Sequence, residues 1–517
     1  MAKRAGILAW LVCAGWVSVA QAGTASIGTL MTAQVALGDI TIGANFAALD
    51  QNSTGFVPPD DAGWFGNGQF VQMTNGAFEV YSPTGAQLTT PITLNQFWRN
   101  GGAAFDQTAF DPRIMYDASS GHWFASAEVF PVGNAPNQLL IGVSQTADAT
   151  GAWKTFTVPA SPSGDHWADF GTLGFNSNGV FVAANMVNST SPNPIDAVNL
   201  FVFPKADLIA GNVATRTVFN NVSGGSAGFS LQPVVNLDNG GLPHPILADS
   251  GQQDSKIVVS KVGGTITAPT LSFGPMQLTN ASPGLPPPVE QPPGGGANPR
   301  LDSNDQRFSA SVILKNGMIW GVQNVSNGAT TALHWVRIDA STGTLVEQGT
   351  ISSSTISYFN GSIAVNANGD IVIGFTASGV SLFPSSEAVV GHFDGTSTSF
   401  LSPMLLKAGT STFGNAGQVN RWGDYSSTSV DPDDPTHFWT IQQLALGNGV
   451  YGEQITEIIV TPFLPEPSAL WLTVMGGIGL LAVFRRVGKK LRGASPTVPL
   501  GGSDHSVSSG RSSGSAG

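Results

Sequence analysis

Seven times along this 517-residue chain an apolar strand enters an Asn, Asp or Gly turn and leaves as a second apolar strand, and this recurrence constrains the fold more than any single motif. The units are Pro58 to Gly85, Phe110 to Phe130, His166 to Val187, Phe229 to Ser250, Arg307 to Val325, Tyr358 to Ser378 and Arg421 to Leu444. In the first, Gln69 to Met73 and Ala77 to Tyr81 flank Thr74-Asn75-Gly76, a hairpin turn signal because Asn and Gly both tolerate positive φ. Tyr451 to Thr461 reads as a final strand. The units recur roughly every 60 residues, against ~40 to 50 for compact blades, so the excess belongs to loops. Seven isolated sheets would leave many open edges, and a radial array protects them. The expectation is therefore an all-β chain folded as a seven-bladed β-propeller over residues 23–464. A two-domain β-sandwich would account for the strands but not for the recurrence. Ala281 to Pro299 is too rich in Pro and Gly for a strand, and is expected to be a surface loop between units.

Composition agrees with many short strands and turns: 10% of residues are charged, with 64 Gly and 33 Pro. Between residues 23 and 464 there are 13 Lys and Arg against 31 Asp and Glu, a net charge of −18. Such a surface repels nucleic acid and anionic head groups.

Both ends of the chain carry targeting features. Lys3 and Arg4, an apolar segment and Ala20-Gln21-Ala22 form a secretory signal peptide over residues 1–22, cut after Ala22 by signal peptidase. Cys13 lies in that segment, after Val12 rather than the small residue a lipoprotein site needs, so the mature chain has no cysteine and no disulfide framework. Near the other end, Pro465-Glu466-Pro467 precede an apolar run, Ser468 to Phe484, followed by Arg485 and Arg486. The run is at the short end of the ~17 to 25 residues a single transmembrane helix needs. The arginine pair would keep the following end cytoplasmic.

These three parts, in this order over residues 465–486, resemble the PEP-CTERM sorting signal of Gram-negative bacteria. The resemblance implies processing by an exosortase and delivery to the cell surface or an exopolysaccharide matrix. Residues 487–517 depart from that pattern, continuing as a Gly- and Ser-rich basic tail that is expected to be disordered. Without cleavage, the same residues would anchor the chain on the outer face of the inner membrane. The segments PPDDAGWFGNGQFVQMTNGAFEVY and RWGDYSSTSVDPDDPTHFW also resemble the opening and closing blades of large exported bacterial propellers, related at fold level to sialidase-type propellers. That likeness implies fold and export, and no reaction. Ser144 to Trp153 (SQTADATGAW) resembles the sialidase Asp-box, whose aspartate stabilises a hairpin turn away from the active centre.

Sialidase chemistry needs three arginines around a carboxylate, a tyrosine paired with a glutamate, and an aspartate acid/base. Arg113, Arg307 and Arg421 recur near the start of a unit's first strand, where side chains turn toward a central channel. They either brace blades through Asp111, Asp305 and Asp424 or bind an anion or sugar acid. Trp123, Trp320 and Trp439 fall in second strands and suit blade packing, whereas Trp64, Trp167 and Trp422 lie near first strands and are candidates for a channel-mouth surface. Asp431, Asp433 and Asp434 offer hard oxygens to Ca2+, as do Asp60 and Asp61, but no EF-hand loop is present and such clusters also simply start turns. His122, His166, His244, His334, His392 and His437 have no zinc-site spacing, and no G-x-S-x-G elbow or phosphate-binding glycine loop occurs. No catalytic residue and no cofactor is assigned. The sequence leads to an exported, surface-sorted, non-enzymatic propeller that binds exopolysaccharide or surface proteins, or alternatively to a sialidase-like hydrolase or lyase working at the channel mouth.

Overall fold

The computed structural model describes residues 39–461 except 134–136, 162–163, 189–194, 223 and 296. The signal segment 1–22, the sorting motif and apolar run 465–486 and the tail 487–517 lie outside the described residues. Among the described residues no helix is long and apolar enough to cross a membrane.

The chain is an all-β propeller with a few short helices. Every repeat unit supplies an antiparallel hairpin whose first strand lies nearest the axis, as in Ala109–Asp117 with His122–Val129 or Ile356–Val365 with Asp370–Gly379. These strands form because β-branched and aromatic residues buried on both faces alternate with tight turns, and Gly121 and Gly369 supply the positive φ that two of those turns need. Inner strands pack in chain order around the axis, and the last, Ser427–Val430, meets the first, Ala62–Gly66.

The sheets differ from the seven separate ones expected. Five sheets of four or five strands stand alone as blades. The units beginning at His166 and Arg307 instead share one nine-stranded sheet. The two-residue strand Val235–Asn236 joins them, pairing in parallel with Phe175 on one side and with Ile313 and Leu314 on the other. An inner turn wide enough to lie between neighbours thus satisfies two edges that a strict blade would leave open.

Closure comes from the N-terminal side. Strand Ile40–Asp50 pairs antiparallel with Tyr451–Val460 and becomes the outermost strand of the last sheet. Ile40 lies opposite Val460, and the Thr461 amide donates to the Asp39 carbonyl at 3.1 Å. Across the same seam Trp439 of the last sheet stacks on Phe65 of the first, with centroids 4.5 Å apart and rings 2° from parallel. The Pro-rich segment is not loose on the surface. Val289 and Gln291 are fully buried, Gln291 bonding the Pro299 and Phe413 carbonyls, so that Val289 packs with Phe359, Trp422 and Tyr451.

Trp439→Ala removes a ring that is 1% exposed at the closing seam, and is expected to cost about 3 to 5 kcal/mol of unfolding free energy. Chemical denaturation would check this. A loss below about 1 kcal/mol would mean that the seam does not depend on the stack.

Candidate functional site

Where the inner strands begin, the backbone repeats one local shape. Asp111, Phe170, Ser230 and Asn360 all have φ near +50° and sit at a bulge in their strand, Asp60 adopts the same left-handed conformation just ahead of Ala62–Gly66, and Asn304 does so in the segment leading to Ile313–Lys315. Asp and Asn reach this region at low cost because their short side chains hydrogen-bond locally, whereas Phe170 must be held there by its surroundings. Each corner frees polar groups that neighbouring sheets take up. The Asp424 amide donates to Asp60 Oδ1 at 2.7 Å, and Asn75 Nδ2 donates to Asp60 Oδ2 at 2.7 Å. Asn75 Oδ1 accepts from the Asp111 amide, and Asp111 Oδ2 accepts from the Phe170 amide at 3.0 Å. On the other side, Asn360 Nδ2 donates to the Gly423 carbonyl and its amide donates to Asn324 Oδ1.

This girdle carries all three predicted arginines. Arg307 forms a bidentate pair with Asp305, both bonds 2.7 Å, and lies over the Phe170 and Phe229 rings. Arg421 bonds Asp424 at 2.5 Å and is half exposed. Arg113 departs from the expected Asp111 partner. Its Nε and Nη1 donate to the Gly171 and Ser309 carbonyls at 2.8 and 3.0 Å, and its guanidinium lies 3.3 Å above the Tyr425 ring centroid. Tyr425 is buried and its hydroxyl donates to the Pro112 carbonyl at 2.8 Å. The three cations are therefore gathered at one end of the channel, but each is committed to protein acceptors or rings.

Two features of the site escaped sequence reasoning. Glu128 is completely buried with both oxygens unpartnered, against Gly171, where any side-chain Cβ would collide with the carboxylate. Asp61 and Glu453 meet at the closing seam, where Gln72 and Thr74 bond Glu453. The alternation that places Glu128 and Glu453 inside looks like ordinary strand polarity; only an acid in a strand otherwise apolar on both faces marks them. Burial, reinforced by Asp424, pushes Asp60 up to about 7, and burial alone does the same to Asp61. Burial together with Asp111 and Asp169 holds Glu128 well above the carboxylate range. Burial also keeps the Tyr425 phenol protonated.

The other predicted residues lie apart. Trp422 is core, its Nε1 donating to Thr376, and Trp167 is half-buried at the start of its strand. Trp64 lies at the opposite, hairpin end of the channel, where a cavity of about 480 Å³ opens between the inner turns. Asp431 accepts from the Asp433 and Asp434 amides, and Asp434 accepts from Thr436, so these acids serve their own turn. Among the described residues no group of three or more His, Cys, Asp or Glu comes together to hold a metal. Asp148 in the Asp-box-like segment accepts from the Thr150 amide and hydroxyl, and from Gln69, across a hairpin turn.

A buried carboxyl raised on folding stabilises fully below its unfolded value near 4 and loses that contribution as pH climbs through its folded value. For Asp60 and Asp61 the loss ends near 7, and for Asp249, raised mainly by burial to about 8, a unit later. His244, pushed down to about 3 by burial, acts in the opposite sense, but its loss falls below pH ~6.5. From pH 6 to 8 the carboxyls therefore dominate, and calorimetry should find Tm higher at pH 6 by on the order of 5 °C. Glu128→Gln should flatten that slope, stabilising more at pH 8 than at pH 6. A Tm that rises from pH 6 to 8 would contradict the burial of these acids.

No family model and no curated protein matches the chain. Solved structures similar to it include Trypanosoma rangeli sialidase in complex with sialic acid, at 13% identity over 82% of this chain and 62% of that one, with a TM-score of 0.36. This chain thus spans about three-fifths of the length of that enzyme. An α-L-arabinofuranosidase from Fusarium graminearum aligns at 8% identity over 80% and 97% of the two chains, with a TM-score of 0.38. A protein of unknown function from Dyadobacter fermentans aligns at 11% over 68% and 95%, with a TM-score of 0.29. At such scores the overlaps carry nothing about the chemistry of the site.

Proposed function

We propose that this chain is an exported, surface-sorted β-propeller acting as a non-enzymatic binding or structural protein of the cell surface or exopolysaccharide matrix. One observation carries the non-enzymatic part: the three arginines and Tyr425 at the strand-start end are engaged internally, and Arg113 Nη2 and the Glu128 carboxyl, left without a partner there, are buried. Arg113 and Arg307 are bonded and stacked, Arg421 is pinned to Asp424, and the Tyr425 hydroxyl is spent on a backbone carbonyl. A sialidase-like enzyme, the alternative reading, needs an open carboxylate grip and a reachable tyrosine. Here Tyr425 is 2% exposed under the Arg113 guanidinium, and Glu128 is sealed behind it.

Export, sorting through exosortase and anchoring by residues 468–484 rest on the terminal segments of the sequence. The finer architecture belongs to the same proposal. If the nine-stranded sheet is divided at Val235–Asn236, which pairs with Phe175 through a single register position, its halves count as two blades and the propeller has seven.

The test has two arms. Incubated with fluorogenic sialosides and arabinofuranosides, the purified protein should release no fluorophore, while a glycan array or matrix polysaccharide retains it. Turnover abolished by Tyr425→Phe would replace this reading with the enzymatic one. For export, an epitope-tagged chain in a sorting-competent Gram-negative host should be recovered outside the cytoplasm, and retention in the cytoplasm would refute that part.

A further inference from the structure

We infer that the hairpin-end cavity is a binding site for one neutral sugar ring, an inference that rests on the binding reading above and gives it a location. The cavity's volume, about 480 Å³, falls within the ~300 to 1,000 Å³ of small-ligand pockets. Inner turns from around the whole axis line it, so the site is a product of ring closure and not of one loop.

Its walls are amphipathic in the way a pyranose is. Trp64, Tyr116, Phe175, Leu237, Val365 and Val430 supply apolar surface. Trp64 Nε1 and Tyr116 Oη donate to no protein atom among the described residues, yet neither is sealed from solvent. The indoles of Trp123 and Trp422 bond Ala147 and Thr376, and those of Trp98 and Trp439 are sealed in the core without a partner, whereas Trp64 and Tyr116 differ from both in opening on the cavity. The two unspent donors therefore mark places where a ligand oxygen completes the set.

These donors are also held rigidly. The Tyr116 ring lies flat on Gly66, where a Cβ would approach Cδ1 to 2.2 Å, and Trp123 packs behind it at 4.9 Å between centroids. Lys315 adds a cationic donor at the rim, and Asp431, which uses one oxygen for its own turn, adds an acceptor.

Charge decides against an acidic ligand. The Asp117 carboxylate on the wall is matched by Lys205 at 2.6 Å, and Lys315 by Asp238 at 3.7 Å, which leaves Asp431 in excess. A sugar acid would meet net repulsion, while hydroxyls meet two free donors, a cation and an acceptor.

The full-length protein in a sugar-free detergent can be titrated with glucose, galactose, mannose, N-acetylglucosamine and sialic acid by saturation-transfer NMR. At least one neutral sugar is expected to bind, and sialic acid is not. Tyr116→Phe and Trp64→Phe should each weaken binding about two- to tenfold, the usual worth of one hydrogen bond. Ala118→Trp, at an exposed position on the rim, should abolish binding while Tm stays unchanged. Binding only of sialic acid, binding of no sugar, or neutral-sugar binding indifferent to Ala118→Trp would overturn the site. Retention on matrix polysaccharide that survives Ala118→Trp would refute this location while leaving the binding reading intact. Glycoside turnover would remove that reading without touching the cavity.

Discussion

The Asp60 carboxylate holds the propeller's ring together at the axis. One oxygen takes the Asp424 amide from the last sheet and the other takes Asn75 from the first, so a single side chain ties segments 364 residues apart in sequence. From Asn75 the relay runs on through Asp111 to Phe170. Buried polar groups linked in this way specify one arrangement, because a misplaced sheet would leave several of them unpaired at once. The repeated left-handed corner makes the relay available, and the commitment of the arginines follows from it. A channel end knitted by its own amides and carboxylates has few groups left over for a substrate.

The opposite end is built differently. There the inner hairpins turn back, their caps close on themselves, and the space between them stays open. Asp431 and Asp339 each fold a turn around a carboxylate that accepts backbone amides, and so stay local. Local satisfaction leaves the aromatic wall of the cavity as the least consumed surface near the axis. The two ends thus divide the work: one provides rigidity, the other access.

Much of the fold was legible because it rests on short-range signals. Each predicted unit contains an antiparallel hairpin, although in the first the predicted pair Gln69–Thr74 and Ala77–Tyr81, joined at Asn75-Gly76, is the second and third strand of its sheet, outside Ala62–Gly66; Trp123, Trp320 and Trp439 are core. What stayed hidden depends on distant partners. Ile40–Asp50 carries an alternating apolar face, Ile40, Ile42, Ala44, Phe46 and Ala48, but nothing in that alternation says that its partner is Tyr451–Val460, about 400 residues further along the chain. The fusion of two units through Val235–Asn236 is likewise a matter of where a turn lands. At the site, the gathering of Arg113, Arg307 and Arg421 could be read from their repeated position. The partners of Arg113 could not, since two backbone carbonyls and an aromatic face have no sequence signature. The Pro-rich segment forms no regular strand, as its prolines imply, and they do not prevent Val289 and Gln291 from being buried.

The closing strand also sets an order in time. Ile40–Asp50 is made early and its partner Tyr451–Val460 late, so a chain emerging N-terminus first carries an unsatisfied strand until nearly all of it has arrived. Such an edge invites pairing with another copy. Gly43 and the bulge between Ile42 and Asn45 lower that risk by giving a foreign strand an irregular template. The irregularity of this strand is thus a form of protection during its long wait for a partner.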